Sequence, residues 1–150
     1  MKTTTSKSKL AIYSLRFALF ATCLFPFFCL AQAGQWTWMH GTKVTGSLAT
    51  YGSETIFDPA NNPSGLYEAC QWTDTSGKFW LFGGIDSYGN INGDLFEYDP
   101  TINQWAWMNG SSVVNDPGNY GTQGVPLLAN YPPSRSHGMA SWTDKQNVSS

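Results

Sequence analysis

A chain of 150 residues, 41% hydrophobic, 15% aromatic and only 12% charged, with 15 glycines, has the size of one ordinary domain, and its composition favours a β-rich globular class over disorder or a coiled coil. Its formal charge of −2, with no cluster of Lys and Arg beyond Arg16, gives no electrostatic footprint for nucleic acid or for an anionic membrane.

At the start of the chain Lys2, Lys7, Lys9 and Arg16 precede an apolar run from Phe17 to Leu30, and Ala31-Gln32-Ala33 follows. A basic region, a short apolar core and a small-x-small cleavage site make residues 1–33 a secretory signal peptide, so the chain is expected to be secreted, to an extracellular or periplasmic space. The competing reading is an uncleaved membrane anchor. The apolar run is shorter than the roughly 20 residues a bilayer needs and contains Pro26, so a membrane is expected to meet the chain only through this segment, if it stays uncleaved. Neither Cys23 nor Cys29 follows the small residue that lipoprotein processing requires. Cleavage after Ala33 would leave Lys43, Lys78, Arg135 and Lys145 against all ten acidic residues, a formal charge of −6. Cys70 would be the one cysteine left, without a partner for an intrachain disulfide. It reads as a small apolar residue on a buried strand rather than a reactive thiol, because nothing basic adjoins it in sequence.

The chain past the leader repeats itself. Gln35-Trp36-Thr37-Trp38-Met39-His40-Gly41-Thr42 returns as Gln104-Trp105-Ala106-Trp107-Met108-Asn109-Gly110-Ser111, an offset of 69, and Tyr51-Gly52 returns at the same offset as Tyr120-Gly121. Pro63-Ser64 with Trp72-Thr73-Asp74 returns as Pro133-Ser134 with Trp142-Thr143-Asp144, at an offset of 70. Landmarks in one order at almost one spacing indicate units that bury their faces against neighbours of their own kind.

Between Leu66 and Met108, short aromatic and β-branched runs alternate with Gly, Asn, Asp and Pro clusters, the pattern of antiparallel strands joined by tight turns. A first strand is expected at about 66–73, and Asp74-Thr75-Ser76-Gly77 turns the chain into a second, Lys78 to Phe82. This strand is apolar on both faces, as in a sheet sandwiched between two others. Gly83-Gly84 ends it, with a structural role: adjacent glycines serve where φ is positive or another backbone comes close. A third strand is expected from Asp94 to Tyr98, with Phe96 and Tyr98 on the face given more to the core. Pro100 cannot donate to a ladder and ends it, and a fourth strand runs from Gln104 to Met108. The fold class is all-β, with these strands in one sheet.

In Leu81-Phe82-Gly83-Gly84, Asp94-Leu95-Phe96-Glu97-Tyr98-Asp99 and Trp105, the chain resembles the kelch motif, the repeat of kelch and galactose-oxidase-type β-propellers. The resemblance implies a partial propeller: a kelch-repeat region over 34–150, with a complete four-stranded blade at about 66–108 and partial blades at 35–40 and 137–144. It also implies that Trp80, Tyr98, Trp105 and Trp107 fill gaps between sheets. A sugar-stacking platform is the alternative, strongest for Trp38 and Trp107 toward the rim. Closed propellers have about 4–8 blades, so the chain is expected to be a fragment of a longer propeller, with exposed strand edges that favour self-association.

Catalytic constellations are sparse. His40 and His137 have no acid or cysteine at metal-ligand spacing, and no nucleophile, zinc-protease or phosphate-loop motif occurs. No motif carries the copper ligands of galactose oxidase, and Cys70 with Tyr67 suggests them only by composition. No cofactor or metal is expected. Asp86, Asp94 and Asp99 read as turn formers rather than calcium ligands, lacking the spacing of a calcium loop. Asn109-Gly110-Ser111 and Asn147-Val148-Ser149 are glycosylation sequons. Arg135 and His137 are the candidate ligand-binding residues, because they resemble the Arg and His that open the family's inner strand at the channel mouth; the other reading is that they order a loop. The favoured expectation is a secreted, non-enzymatic scaffold for a protein or carbohydrate partner. The alternative is a piece of a kelch-fold enzyme, a copper oxidase or a sialic-acid epimerase, whose active residues lie outside this chain. A third is that the fragment has no function of its own.

Overall fold

The computed structural model describes residues 34–143. The leader expected over 1–33, Asp144 and the sequon at Asn147 lie outside them. The chain divides between Thr37 and Trp38. Of the first part only 34–37 are described, without regular structure, and the architecture that follows is that of the second part.

Six strands occur among the described residues, and no helix: β1 (Leu66–Tyr67), β2 (Cys70–Thr73), β3 (Phe79–Phe82), β4 (Ile85–Asp86), β5 (Gly93–Asp99) and β6 (Gln104–Ser111). They form two antiparallel sheets, neither closed: a four-stranded one in the order β2-β3-β5-β6 and a two-stranded one of β1 and β4. The first strand expected over 66–73 is in fact two. Glu68 has a φ of 55°, and the chain changes sheets there: Leu66 and Tyr67 pair with Asp86 and Ile85, whereas Cys70 to Thr73 pair with Phe82 to Phe79. The outer strand expected at 35–40 carries no regular structure, because no neighbouring strand among the described residues satisfies its backbone; the Asn103 side-chain amide donates to the Met39 carbonyl (2.9 Å) instead.

The β2–β3 hairpin is fixed by Asp74. Its Oδ1 accepts from the Ser76 N–H (2.8 Å), the Ser76 hydroxyl (2.6 Å) and the Lys78 N–H (3.1 Å), and its Oδ2 from the Trp80 indole N–H (2.9 Å). Burial works against ionisation here, but the Ser76 hydroxyl, the Trp80 indole and the amide donors outweigh it and hold the carboxyl down at about 2.

Pairing sorts the large sheet onto two faces. On one, Phe79 stands opposite Tyr98, Leu81 opposite Phe96, Tyr98 opposite Trp105 and Phe96 opposite Trp107. Tyr51 closes over this face, stacked on Phe96 at 5.5 Å and edge-on to Trp107 at 5.3 Å, which leaves Phe96 only 1% exposed. On the other face Trp72 stacks on Trp80 at 5.9 Å. Glu97, which alternation puts on the less buried side, is buried too, because the Lys78 ammonium sits 2.6 Å from its carboxylate. Of the apolar residues of β3, Phe79 is 46% exposed, while Trp80, Leu81 and Phe82 are half-buried.

The connections between the repeated segments are themselves built twice. Thr50 and Asn62 exchange two backbone hydrogen bonds (2.8 and 3.0 Å), the Ile56 N–H donates to the Ser53 carbonyl, and the Asn61 N–H donates to that of Asp58. Each returns 69 residues later: Asn119 with Tyr131 (3.0 and 2.8 Å), Val125 to Thr122, and Asn130 to Leu127. The Asn61 amide donates to the Ile56 carbonyl as the Asn130 amide does to that of Val125. Gly52 and Gly121, at φ of 63° and 57°, are required in both copies, since a Cβ would come within 2.3 and 2.4 Å of Asn61 and Asn130 Oδ1.

Candidate functional site

Where the chain leaves β3, Gly83 and Gly84 take φ of 63° and 100°. The Gly83 N–H donates to the Asp94 carbonyl (3.1 Å) and the Gly84 N–H to the Arg135 carbonyl (2.8 Å). The Arg135 N–H in turn donates to Asn92 (3.0 Å), whose own N–H donates back to Gly84 (2.9 Å). A Cβ at Gly83 would lie 2.4 Å from the Arg135 carbonyl oxygen. The glycine doublet is thus the seat on which the backbone of Arg135 rests. Tyr98 and Trp105 serve the core instead, with ring centroids 5.0 Å apart and the Tyr98 hydroxyl donating to Asn103 Oδ1 (2.6 Å).

Asp116 anchors the residue before Arg135. The Ser134 N–H donates to its carbonyl (2.9 Å), and its own N–H donates to the Ser134 hydroxyl (2.9 Å). With its backbone held on both sides, Arg135 keeps an exposed side chain. Arg135 lines a groove of about 470 Å³ whose walls include Cys70, Trp72, Phe82, Met139 and Trp142. The strand expected over 137–144 is absent from 137–143. These residues meet β2 through side chains, not a backbone ladder: the Ser141 hydroxyl donates to the Gln71 carbonyl (2.9 Å) and the Thr143 hydroxyl to that of Thr73 (2.7 Å).

The two candidate ligand residues are not brought to one site. His137 is not part of the groove wall. Its Nε2 lies 2.7 Å from Glu68 Oε2 and its Nδ1 2.8 Å from the Ser136 hydroxyl, and the contact with Glu68 is ionic only when the imidazole is protonated. Glu68 and His137, 69 residues apart, also share a left-handed backbone, at φ of 55° and 58°.

The three acids divide. Asp86 and Asp99 do form turns: Asp86 accepts from the Tyr88 and Asn90 N–H groups, and Asp99 from the N–H and hydroxyl of Thr101. Burial pushes the Asp86 carboxyl up, but its amide donors prevail and lower it, while the Thr101 hydroxyl and N–H lower Asp99. Asp94 is no turn former. It lies in β5, 1% exposed, and accepts the Tyr51 hydroxyl at 2.8 Å. Burial raises the Asp94 carboxyl above its usual range, and burial together with the Asp94 charge raises the Tyr51 phenol. Asn109 of the first sequon is half-buried in β6, and its side-chain oxygen accepts from the Gly110 N–H.

Chemically the groove offers a guanidinium beside aromatic and apolar walls. Five guanidinium N–H donors suit a carboxylate or vicinal hydroxyls, and an indole face suits the apolar face of a sugar or an aromatic side chain. Among the described residues no group of three His, Cys, Asp or Glu could hold a metal ion. A larger hollow of about 770 Å³ beside His40 is lined by residues including Trp38, Leu48, Asn62 and Asn103, without an acid or a second histidine. Sequence reasoning missed this hollow and the wall formed by Met139 and Trp142; the Trp72 to Trp142 repeat is the one signal that places an indole there. No protein-family model, curated protein or solved structure matches the chain.

Proposed function

We propose that the chain is part of a kelch-type β-propeller, with 66–108 as one blade, and that it is a secreted, non-enzymatic scaffold binding a protein or carbohydrate partner. The observation that carries this reading is the placement of 141–143 beside 71–73. Ser141 meets Gln71 and Thr143 meets Thr73, an interval of 70, the same as that between Trp72 and Trp142 in the sequence. Equivalent segments of successive units therefore run side by side in the same direction, as they must in an array whose units bury their faces on one another. The twice-built connection supports the same reading, whereas the four-stranded meander by itself fits many all-β folds.

Binding is assigned to the groove that Arg135 lines together with Trp72 and Trp142, the latter 82% exposed. The test is a titration of tryptophan fluorescence with neutral oligosaccharides, uronic-acid oligosaccharides and acidic peptides rich in aromatic residues. A saturable change that Arg135→Ala weakens is the expected result. No response to any of the three classes, or binding indifferent to Arg135→Ala, rejects the assignment.

A further inference from the structure

The first copy of the repeated connection has an occupant. The Thr55 N–H donates to the Trp107 carbonyl (2.7 Å) and the Asp58 N–H to that of Trp105 (3.2 Å), and the Asn61 amide adds a second bond to Trp105 (3.1 Å). These three donors line up on the outer edge of β6 while Tyr51 packs its ring against Trp107. The 50–62 connection is thus a clamp for a Trp-x-Trp strand.

The second copy is the same clamp, standing open. By the offset of 69, Gly124, Leu127, Asn130 and Tyr120 replace Thr55, Asp58, Asn61 and Tyr51, and Gly124 keeps the left-handed backbone of Thr55, at φ of 79° against 64°. Among the described residues the N–H groups of Gly124 and Leu127 make no hydrogen bond, and the Asn130 amide bonds only within its own loop. Asn130 Oδ1 is buried without a partner. Tyr120 is 66% exposed and Leu128 98%.

The chain also holds a second Trp-x-Trp segment, which no backbone ladder pairs among the described residues. Gln35-Trp36-Thr37-Trp38-Met39 matches β6 in sequence, its indoles are 99% and 61% exposed, and it is not paired as a strand. The edge of β6 itself is already taken. We infer that residues 119–131 form a ready-made seat for segment 35–39 of a second copy of this chain, so that two copies associate by exchanging these segments. The seated segment offers its Trp38 and Trp36 carbonyls to the Gly124 and Leu127 N–H groups and its Trp38 ring to Tyr120. This inference stands on the duplicated geometry and the sequence repeat, not on the scaffold reading, and uses no residue of the Arg135 groove.

The test follows the mass of the purified chain in solution across a concentration series. The expected result is a concentration-dependent dimer, weakened on the order of thirtyfold or more by Trp36→Ala with Trp38→Ala, as for a two-indole hot spot, and likewise by Asn130→Ala with Leu128→Asp. Mixing the two variants, each lacking a different half of the contact, restores one intact contact and so restores association. Circular dichroism separates loss of association from loss of fold. Should the loop variant unfold, Leu128→Asp alone, at an exposed position, replaces it. A chain that stays monomeric at its highest soluble concentration overturns the inference. So does a dimer that survives both variants, or one that the tryptophan variant abolishes and the loop variants leave intact.

Discussion

Gly77 and Gly83 both require a left-handed backbone, at φ of 86° and 63°, yet their surroundings differ. Around Gly77 a Cβ would meet nothing within 4 Å, whereas at Gly83 it would meet the Arg135 carbonyl at 2.4 Å. Gly77→Ala should therefore cost only the backbone term, about 1–2 kcal/mol. Gly83→Ala should cost that and also push Arg135 from its seat, reaching roughly 3 kcal/mol. Urea denaturation of the two variants measures the difference, and the emission of Trp72 and Trp142 beside the groove should shift for Gly83→Ala alone. Equal costs with unchanged emission would mean that Arg135 does not rest on the doublet. A glycine pair closing an apolar run is visible in the sequence as a point of close approach. That Arg135, more than 50 residues later, makes the approach is not, because the contact is between backbones and leaves no side-chain signature.

Among the elements, the hairpins are the legible part and the connections are not. The Asp-Thr-Ser-Gly and Asp-Pro-Thr-Ile-Asn turns announce themselves by residue types that accept amide hydrogen bonds or fix φ, and β3 and β6 start within a residue of where those turns place them. Nothing in Tyr67-Glu68-Ala69 signals the left-handed step that splits the first strand. Nor does anything mark Asp94, next to a glycine in a polar stretch, as a buried acid. Its burial depends on Tyr51, 43 residues earlier, whose hydroxyl is its partner. Removing that hydroxyl with Tyr51→Phe leaves a buried carboxyl short of a donor and should cost roughly 1–3 kcal/mol at neutral pH. The pH dependence has a definite sign. Because burial raises the folded-state pKa of Asp94, the stability it contributes is complete below the unfolded value of 3.8 and is lost as pH rises through the raised folded value. Asp94→Asn keeps an acceptor for Tyr51 without the charge, so it should leave stability at acid pH almost unchanged and raise it at pH 7. Denaturation midpoints at both pH values check this, and an Asn variant weaker at pH 7 would show that the ionised pair is net favourable.

Across the whole molecule the repeat was legible in its tryptophans but not in its depth. Trp36 with Trp105, and Trp72 with Trp142, fix the spacing, whereas the connections 50–62 and 119–131 are identical only at Tyr-Gly and Ala-Asn and yet form the same hydrogen bonds. Glycine and asparagine suffice because the conformation is set by positive φ and by side-chain amides reaching back to the backbone. The two copies differ in what they hold, and stability should be distributed accordingly. The 50–62 copy is bonded to β6 through Thr55, Asp58 and Asn61 and must break these bonds to open; the 119–131 copy has no such partner among the described residues. Brief chymotrypsin digestion of dilute protein, followed by mass spectrometry, should therefore cut after Tyr120 or Leu128 well before it cuts after Tyr51 or Phe57, although the protease accepts all four residues. Raising the protein concentration should slow the cuts at Tyr120 and Leu128 and leave those at Tyr51 and Phe57 unchanged, since a seated strand protects one copy and the other is already protected. Cleavage of both connections at similar rates would show that β6 adds nothing to the stability of the loop it is bonded to.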